Sequence, residues 1–150
     1  MFELLDHRSE EVASQIHALF RRSYTVEARL IGAEDFPPLR RSAQQIRSSS
    51  GAFLGAREGS DLVAAVEYAV DGPHLDIRNL AVDPRCFRQG RGTRLLQALL
   101  ERTDWRTATV ETAAGNLPAV ALYEKIGFSV SGRWTTAEGI EKIGLSLGRS

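Results

Sequence analysis

Cysteine is almost absent from this chain of 150 residues, and its scarcity excludes two classes of protein. The single thiol, Cys86, has no partner for an internal disulfide bond, and no Cys/His cluster has the spacing of a zinc site. The three histidines are scattered, so no metal site is predicted. A chain without disulfides suits a reducing compartment, and we expect it to be cytoplasmic. Cys86 itself is predicted to be structural.

Net charge and long apolar runs are lacking too. The 19 basic residues balance 19 acidic ones, so no global field favours nucleic acid or an anionic membrane as a partner. No apolar run approaches the roughly 18 residues that a membrane-spanning helix needs. The N-terminal segment lacks the basic and apolar regions of a secretory signal. With no linker or repeat either, one domain over residues 1–150 is predicted.

The apolar residues that are present recur at both helical and strand periods, which predicts a mixed α+β fold. Ser9 can cap a first helix, and Pro37 and Pro38 permit a short second one. Two more helices are predicted at about residues 90–102 and after the cap Asn116. The predicted strands are 2–7, 52–58, 61–70, 74–82, 106–112, 127–134 and 140–147. The second to fourth favour an antiparallel meander, and the fourth and fifth a parallel pair with a right-handed helical crossover.

The segment RCFRQGRGTRLL, residues 85–96, places Gly90 and Gly92 among four arginines where a helix begins. The first amides of a helix have no internal partner and, with the helix dipole, attract anions. Glycine lets a phosphate approach the backbone closely, so the segment predicts a diphosphate site made by main-chain amides. A turn that needs glycine only for its geometry is the alternative. The loop GxGxxG is excluded because position 95 is leucine, and GxxxxGK[ST] does not occur.

Three segments together resemble the GNAT family of N-acetyltransferases. They are LAVDP at 80–84, RQGRGTRLL at 88–96 and NLPAVALYEKIGF at 116–128. The resemblance implies the acyl-CoA N-acyltransferase fold, a twisted, mostly antiparallel sheet of six to seven strands flanked by about four helices. The sheet would splay between its fourth and fifth strands, and acetyl-CoA would enter the opening as co-substrate, without a metal.

The resemblance also implies which residues bind this co-substrate. The backbone of Leu80, Ala81 and Val82 would pair with the pantetheine arm like an added strand. The other implied contacts are Arg88, Gln89, Gly90, Arg91, Gly92, Thr93, Asn116, Ala119 and Tyr123. The family's loop usually begins with glutamine or arginine where this chain has Phe87, which leaves the role of the Arg88 side chain open.

Acetyl transfer to an amine needs a donor for the developing oxyanion and a proton for the leaving thiolate. The Leu80 amide, if a bulge frees it from sheet pairing, is the predicted oxyanion donor. Tyr123 lies four residues before Gly127, where the family's acid commonly lies, and is the predicted acid. Spacing alone would place Tyr123 in the core.

The sequence offers several candidates for the general base. Glu67 lies among small neighbours on one strand face, and Asp76 is expected to share a strand face with Leu80. Glu111 is a further carboxylate, and a relaying water is an equal alternative. Each carboxylate could instead be a solvated surface group.

The amine acceptor would be selected by residues 21–41, which carry Glu27, Glu34 and Asp35 together with aromatic residues. We expect a small-molecule amine, and a peptide or protein amine is the alternative. The arginines of the second helix would form a basic face; they are Arg40, Arg41 and Arg47. Two other functions stay open: a non-catalytic acyl-CoA-binding module and an interaction domain without cofactor. A homodimer is compatible with the sequence.

Overall fold

A computed structural model describes residues 2–149, and within them seven strands form one sheet. The strands are β1 (Phe2–Leu5), β2 (Ala52–Glu58), β3 (Asp61–Asp71), β4 (His74–Val82), β5 (Thr107–Ala113), β6 (Ser129–Thr135) and β7 (Glu141–Gly148). Their order across the sheet is β1-β2-β3-β4-β5-β7-β6. Every neighbouring pair is antiparallel except β4 and β5, which confirms the predicted antiparallel meander and the predicted parallel pair.

The α-helices lie between the strands at the predicted places. They are α1 (Glu10–Ile31), α2 (Ala43–Arg47), α3 (Arg91–Arg102) and α4 (Leu117–Ile126), with short 3₁₀ turns at Pro37–Arg40 and Pro84–Cys86. Ser9 caps α1 by accepting a bond from the Val12 amide, and Gly32 ends that helix in the left-handed conformation. Asn116 caps α4. No helix within residues 2–149 is long and apolar enough to span a membrane.

The sheet is the middle layer between two apolar cores. Helices α3 and α4 cover one face with residues that include Leu95, Leu96, Leu99 and Tyr123. Helices α1 and α2 cover the other face; their buried residues include Ile16, Leu19, Phe20, Tyr24 and Ile46. The amphipathic stripes seen in the sequence therefore point to opposite faces of one sheet.

The sheet opens between β4 and β5, as predicted. These strands pair only from His74 to Ile77 and from Thr107 to Val110. Beyond that point β4 continues to Val82 and β5 continues to Ala113 without pairing to each other. The result is a crevice whose walls are the ends of the two strands.

A bulge in β4 reverses the side-chain alternation just where the crevice begins. Glu67 pairs with Asn79 while the next residue of β3, Tyr68, pairs with Ile77, so Arg78 is an extra residue. Leu80 consequently packs on the same core as Ile77. The expectation that Asp76 shares a strand face with Leu80 is therefore wrong, because regular alternation fails at a bulge.

Candidate active site

The crevice edge of β4 presents main-chain groups at two of the three predicted positions. The Asp83 amide donates to the Val63 carbonyl at 2.8 Å, which fixes which residues of β4 face β3. Hydrogen-bonding direction alternates along a strand. The main chain of Ala81 therefore faces β3, whereas the amides and carbonyls of Leu80 and Val82 face the crevice.

The loop before α3 exposes a series of unpaired amides. Gly90 caps α3 with φ of 74°, and Arg88 also has positive φ, at 65°. The N–H groups of residues 88–93 donate to no acceptor within residues 2–149, and the first helical bond runs from the Arg94 amide to the Gly90 carbonyl. These amides form the concave, positively polarised surface that suits a diphosphate.

The second glycine of the loop is required by packing rather than by backbone angle. A Cβ atom on Gly92 would lie 2.9 Å from Leu122 Cδ1 and 3.3 Å from Val82 Cγ2. Gly92 therefore lets α3 approach both α4 and β4 closely. The alternative interpretation, a turn that needs glycine for its geometry, applies to Gly90, whose φ is 74°, and it does not remove the unpaired amides around that residue.

Most arginine side chains of the loop form ion pairs or hydrogen bonds within the protein. Arg91 makes an ion pair with Glu58, and Arg94 donates to the Gln89 carbonyl at 2.9 Å. Arg85 pairs with Asp83 at 3.0 Å. Arg88 is exposed and makes no ion pair within residues 2–149, so it is the loop guanidinium that remains available to an anion.

Tyr123 lies in the core that α3 and α4 form with the sheet. Its ring is buried and packs edge-on against Phe128, with centroids 5.8 Å apart. Burial, and secondarily the charge of Glu27, raise the pKa of the phenol, which therefore keeps its proton at neutral pH. At the start of the same helix, Asn116 Oδ1 accepts a 3.3 Å bond from the Ala119 amide.

Glu67 is a buried ion-pair residue and not a solvated carboxylate. Its side chain is 2% exposed and receives two bonds from Arg41, at 2.6 and 2.9 Å. Ser49 Oγ and Asn79 Nδ2 each donate to it at 2.6 Å. Burial would raise the pKa of Glu67, but these bonds and the Arg41 charge outweigh burial and lower it. A carboxylate held so firmly in its ionised form is a weak base.

The other predicted carboxylates differ in their relation to the crevice. Asp76 lies in the paired part of β4, opposite Thr109, and forms a half-exposed ion pair with Arg78. Glu111 is exposed and follows directly after Val110, the last residue of β5 that pairs with β4. Of these two, only Glu111 belongs to the open part of the strands.

Glu27 enters this region from α1, although the sequence had placed it only in the acceptor wall. One turn before it, Tyr24 is buried and donates to Asn79 Oδ1 at 3.1 Å, which ties α1 to β4. Glu27 is half-buried, and burial raises its pKa, while the Asn116 side chain and the charge of Lys142 oppose the rise. The signal was available in the sequence, since Glu27 interrupts an apolar stripe that contains Tyr24 and Ile31.

The basic face predicted for the second helix is not formed. Arg41 precedes α2 and binds Glu67, whereas Arg40 pairs with Asp35. Arg47 donates to the Arg8 carbonyl at 3.1 Å. Arg41 and Arg47 thus tie residues 41–47 to β3 and to the segment before α1, whereas the Arg40–Asp35 pair is local.

The predicted acceptor wall borders a cavity of about 570 Å³. It is lined by residues 31–35, by Ala113 and Gly115, and by residues 138–141, where the β6–β7 turn leads into β7. The cavity thus lies beside the end of β5 that does not pair with β4.

Comparisons with known proteins agree with this geometry. A model of the acetyltransferase (GNAT) family matches residues 13–128. UPF0157 protein YqkA of Bacillus subtilis is 33% identical over 141 residues, which cover 93% of this chain and 41% of that protein, so the chain spans about two fifths of its length. N-alpha-acetyltransferase RimI of Mycobacterium tuberculosis is 30% identical over 113 residues, covering 72% of this chain and 71% of that protein.

A solved structure shows the same architecture with coenzyme A bound. PaiA N-acetyltransferase from Thermoplasma acidophilum, in complex with coenzyme A, gives a TM-score of 0.78 at 17% identity and covers 99% of this chain and 98% of that one. This likeness shows the fold, and the family model carries the assignment. By sequence match and by fold, the chain belongs to the acetyltransferase (GNAT) family.

Proposed function

We propose that the protein transfers an acetyl group from acetyl-CoA directly to a primary amine. The observation that carries the proposal is the crevice between β4 and β5, which leads to the unpaired amides of residues 88–93. Family membership and the coenzyme A complex of a structural neighbour support it.

Each part of the crevice would act on a different part of the reactants. The amides of residues 88–93 would bind the diphosphate, and the main chain of Val82 would pair with the pantetheine arm. The Leu80 amide would donate to the thioester oxygen as negative charge develops there. Tyr123, which keeps its proton at neutral pH, would protonate the departing thiolate.

The acceptor is proposed to be the α-amino group of a polypeptide. The observation that favours it is the 30% identity, over 72% of the chain, to a protein named for N-alpha acetylation. This choice departs from the small amine expected from the sequence, which remains the rival acceptor. A cavity open at residues 31–35 and 138–141 would admit a chain terminus.

The test measures coenzyme A release from acetyl-CoA with a panel of four classes of amine. Two are peptides: short ones with free N-termini, and the same peptides blocked at the N-terminus but carrying a lysine. The other two are amino acids and small diamines. We expect turnover with free peptide N-termini and little with the blocked ones. Turnover confined to small amines would overturn the acceptor assignment. Tight coenzyme A binding without turnover on any amine would identify a non-catalytic module instead.

The cofactor half of the proposal has its own test in amide hydrogen exchange. The amides of Leu80 and Val82 are expected to exchange rapidly in the free protein and slowly with coenzyme A bound. The Ala81 and Asp83 amides, which face β3, are the matched controls and should be slow in both states. If the exchange rates of the Leu80 and Val82 amides are the same with and without coenzyme A, the ligand binds elsewhere.

A further inference from the structure

We propose that Glu27 is the general base that takes the proton from the attacking amine. The inference rests on the proposed acetyl transfer and names a residue that the sequence placed only in the acceptor wall. The inference follows from the position of α1, from the groups that interact with Glu27, and from the ion pairs and positions of the other carboxylates.

The position of Glu27 is fixed by the residue one turn before it. Tyr24 donates to Asn79 Oδ1, and Asn79 is the residue before Leu80, the proposed oxyanion donor. The Tyr24 ring also packs edge-on against Phe36, with centroids 6.1 Å apart. This side of α1 therefore lies over the crevice end of β4. One turn after Glu27, Ile31 Cγ2 lies 3.3 Å from where a Cβ on Gly115 would stand, so the turn that carries Glu27 lies between β4 and the start of α4.

The groups that interact electrostatically with Glu27 come from three elements. Tyr24 lies on its own helix, Asn116 and Tyr123 belong to the cap and body of α4, and Lys142 approaches from β7. Burial is the largest influence and raises the pKa of the carboxyl above its ordinary value. A carboxylate with a raised pKa binds a proton more strongly than an ordinary one, which suits proton abstraction.

Glu27 and the proposed acid, Tyr123, are electrostatically coupled. The negative charge of Glu27 contributes to the raised pKa of Tyr123. Protonation of Glu27 removes that charge, so the phenol becomes a better acid at the stage when the thiolate needs a proton. The two proton transfers would therefore assist each other in the order that the reaction requires.

The reaction needs no reactant other than the amine, the thioester and these two residues. The neutral amine attacks the thioester carbon, the C–N bond forms, and the nitrogen passes a proton to the Glu27 carboxylate. The C–S bond then breaks, and the thiolate takes the Tyr123 proton. Transfer of the Glu27 proton to the phenolate, directly or through water, restores both residues and leaves amide and thiol as products.

The remaining carboxylates are weaker candidates. Glu67 is neutralised by Arg41, and Asp76 lies in the paired part of β4. Glu111 stands at the open part of β5 but is exposed to solvent. It is the rival base that the experiment must separate from Glu27.

The experiment compares pH profiles of kcat and kcat/KM for Glu27→Gln, Glu27→Asp, Glu111→Gln and, as a control, Glu124→Gln on the exposed face of α4. For Glu27→Gln we expect kcat to fall at least about 100-fold and the acid limb of the profile to disappear. Glu27→Asp should regain part of the activity together with an acid limb. The dissociation constant for coenzyme A should change less than about twofold in every variant.

Three results would overturn the assignment. The first is an acid limb that survives in Glu27→Gln and vanishes in Glu111→Gln. The second is a Glu27→Gln variant with a raised KM for the amine but unchanged kcat, which would describe an anchor for the ammonium group. The third is a wild-type protein that binds coenzyme A but transfers nothing; only that third result also ends the proposed function.

Discussion

At the residue scale, Tyr123 offers the most direct test of the chemistry. Its phenol is kept protonated by burial, and no hydrogen bond to its oxygen is found within residues 2–149. We expect Tyr123→Phe to lower kcat by at least about 100-fold, because the thiolate would leave without an acid. Affinity for coenzyme A, measured by calorimetry, should stay within about twofold.

The control for this change is Tyr68→Phe, which removes a phenol hydroxyl from another residue of the same core. Its kcat should equal that of the wild type. Unchanged turnover in Tyr123→Phe, or an equal fall in both variants, would show that Tyr123 is only a packing residue.

Glu67 leads to a prediction about stability. Its pKa is below the ordinary value of 4.5, so the folded state gains stability from the ionised carboxylate above that pH and loses it as pH falls through the lowered pKa. Glu67→Gln leaves Arg41 half-buried without its partner. We expect the free energy of unfolding at pH 7 to fall by about 2–3 kcal/mol, and the difference from wild type to shrink in acid.

Urea denaturation at several pH values between 7 and 3 measures this difference. The matched control is Glu3→Gln, which breaks the more exposed ion pair with Arg57 and should change stability by less than about 1 kcal/mol. A Glu67→Gln variant as stable as the wild type at pH 7 would contradict the structural account of this cluster.

The sequence did not predict which partners the charged side chains would pair with. Glu67 and Arg41 are far apart in the chain and meet only because α1, α2 and β3 pack together. Likewise, Arg91 begins α3 beside the unpaired amides, yet its side chain pairs with Glu58 at the end of β2. Long-range pairing of this kind leaves no local periodic signal, so a solvated carboxylate was the natural expectation for Glu67.

At the element scale, local signals were sufficient. The caps Ser9 and Asn116, the left-handed Gly32 and the apolar alternation of the strands are properties of a few neighbouring residues, and the elements formed where they indicated. The bulge at Arg78 is different, because it depends on how β4 is paired with β3. That one extra residue is why Asp76 was placed on the wrong face.

The loop that joins β4 to α3 is tested by its left-handed glycine. Replacing Gly90, whose φ is 74°, with valine forces an unfavourable backbone conformation and displaces the amides beside it. We expect Gly90→Val to fold, to lose roughly 1–2 kcal/mol of stability, and to bind coenzyme A more than about tenfold more weakly in calorimetry.

Gly59 is the matched control for that substitution. Its φ is 62°, and a Cβ there would also meet open space, but it lies in the β2–β3 turn. Gly59→Val should lose similar stability and keep normal affinity for coenzyme A. Equal affinities in the two variants would mean that the loop around Gly90 does not hold the ligand.

At the scale of the whole molecule, the sheet is two parts joined by a short parallel contact. β1 to β4 form one part and β5 to β7 the other, and the direct pairing between them is limited to His74–Ile77 with Thr107–Val110. A ligand that pairs with β4 inside the crevice and is held by the α3 amides would add contacts across this junction. Binding should therefore stabilise the entire fold and not only the loop.

Thermal unfolding measures that effect. Coenzyme A at a hundred times its dissociation constant should add about 2.7 kcal/mol, which for a chain of this size raises Tm by about 5–11 °C. Pantetheine at the same concentration lacks the diphosphate and should raise Tm by less than about 2 °C. Because both compounds carry the arm that would pair with β4, an equal rise with each would show that the α3 amides contribute no binding energy.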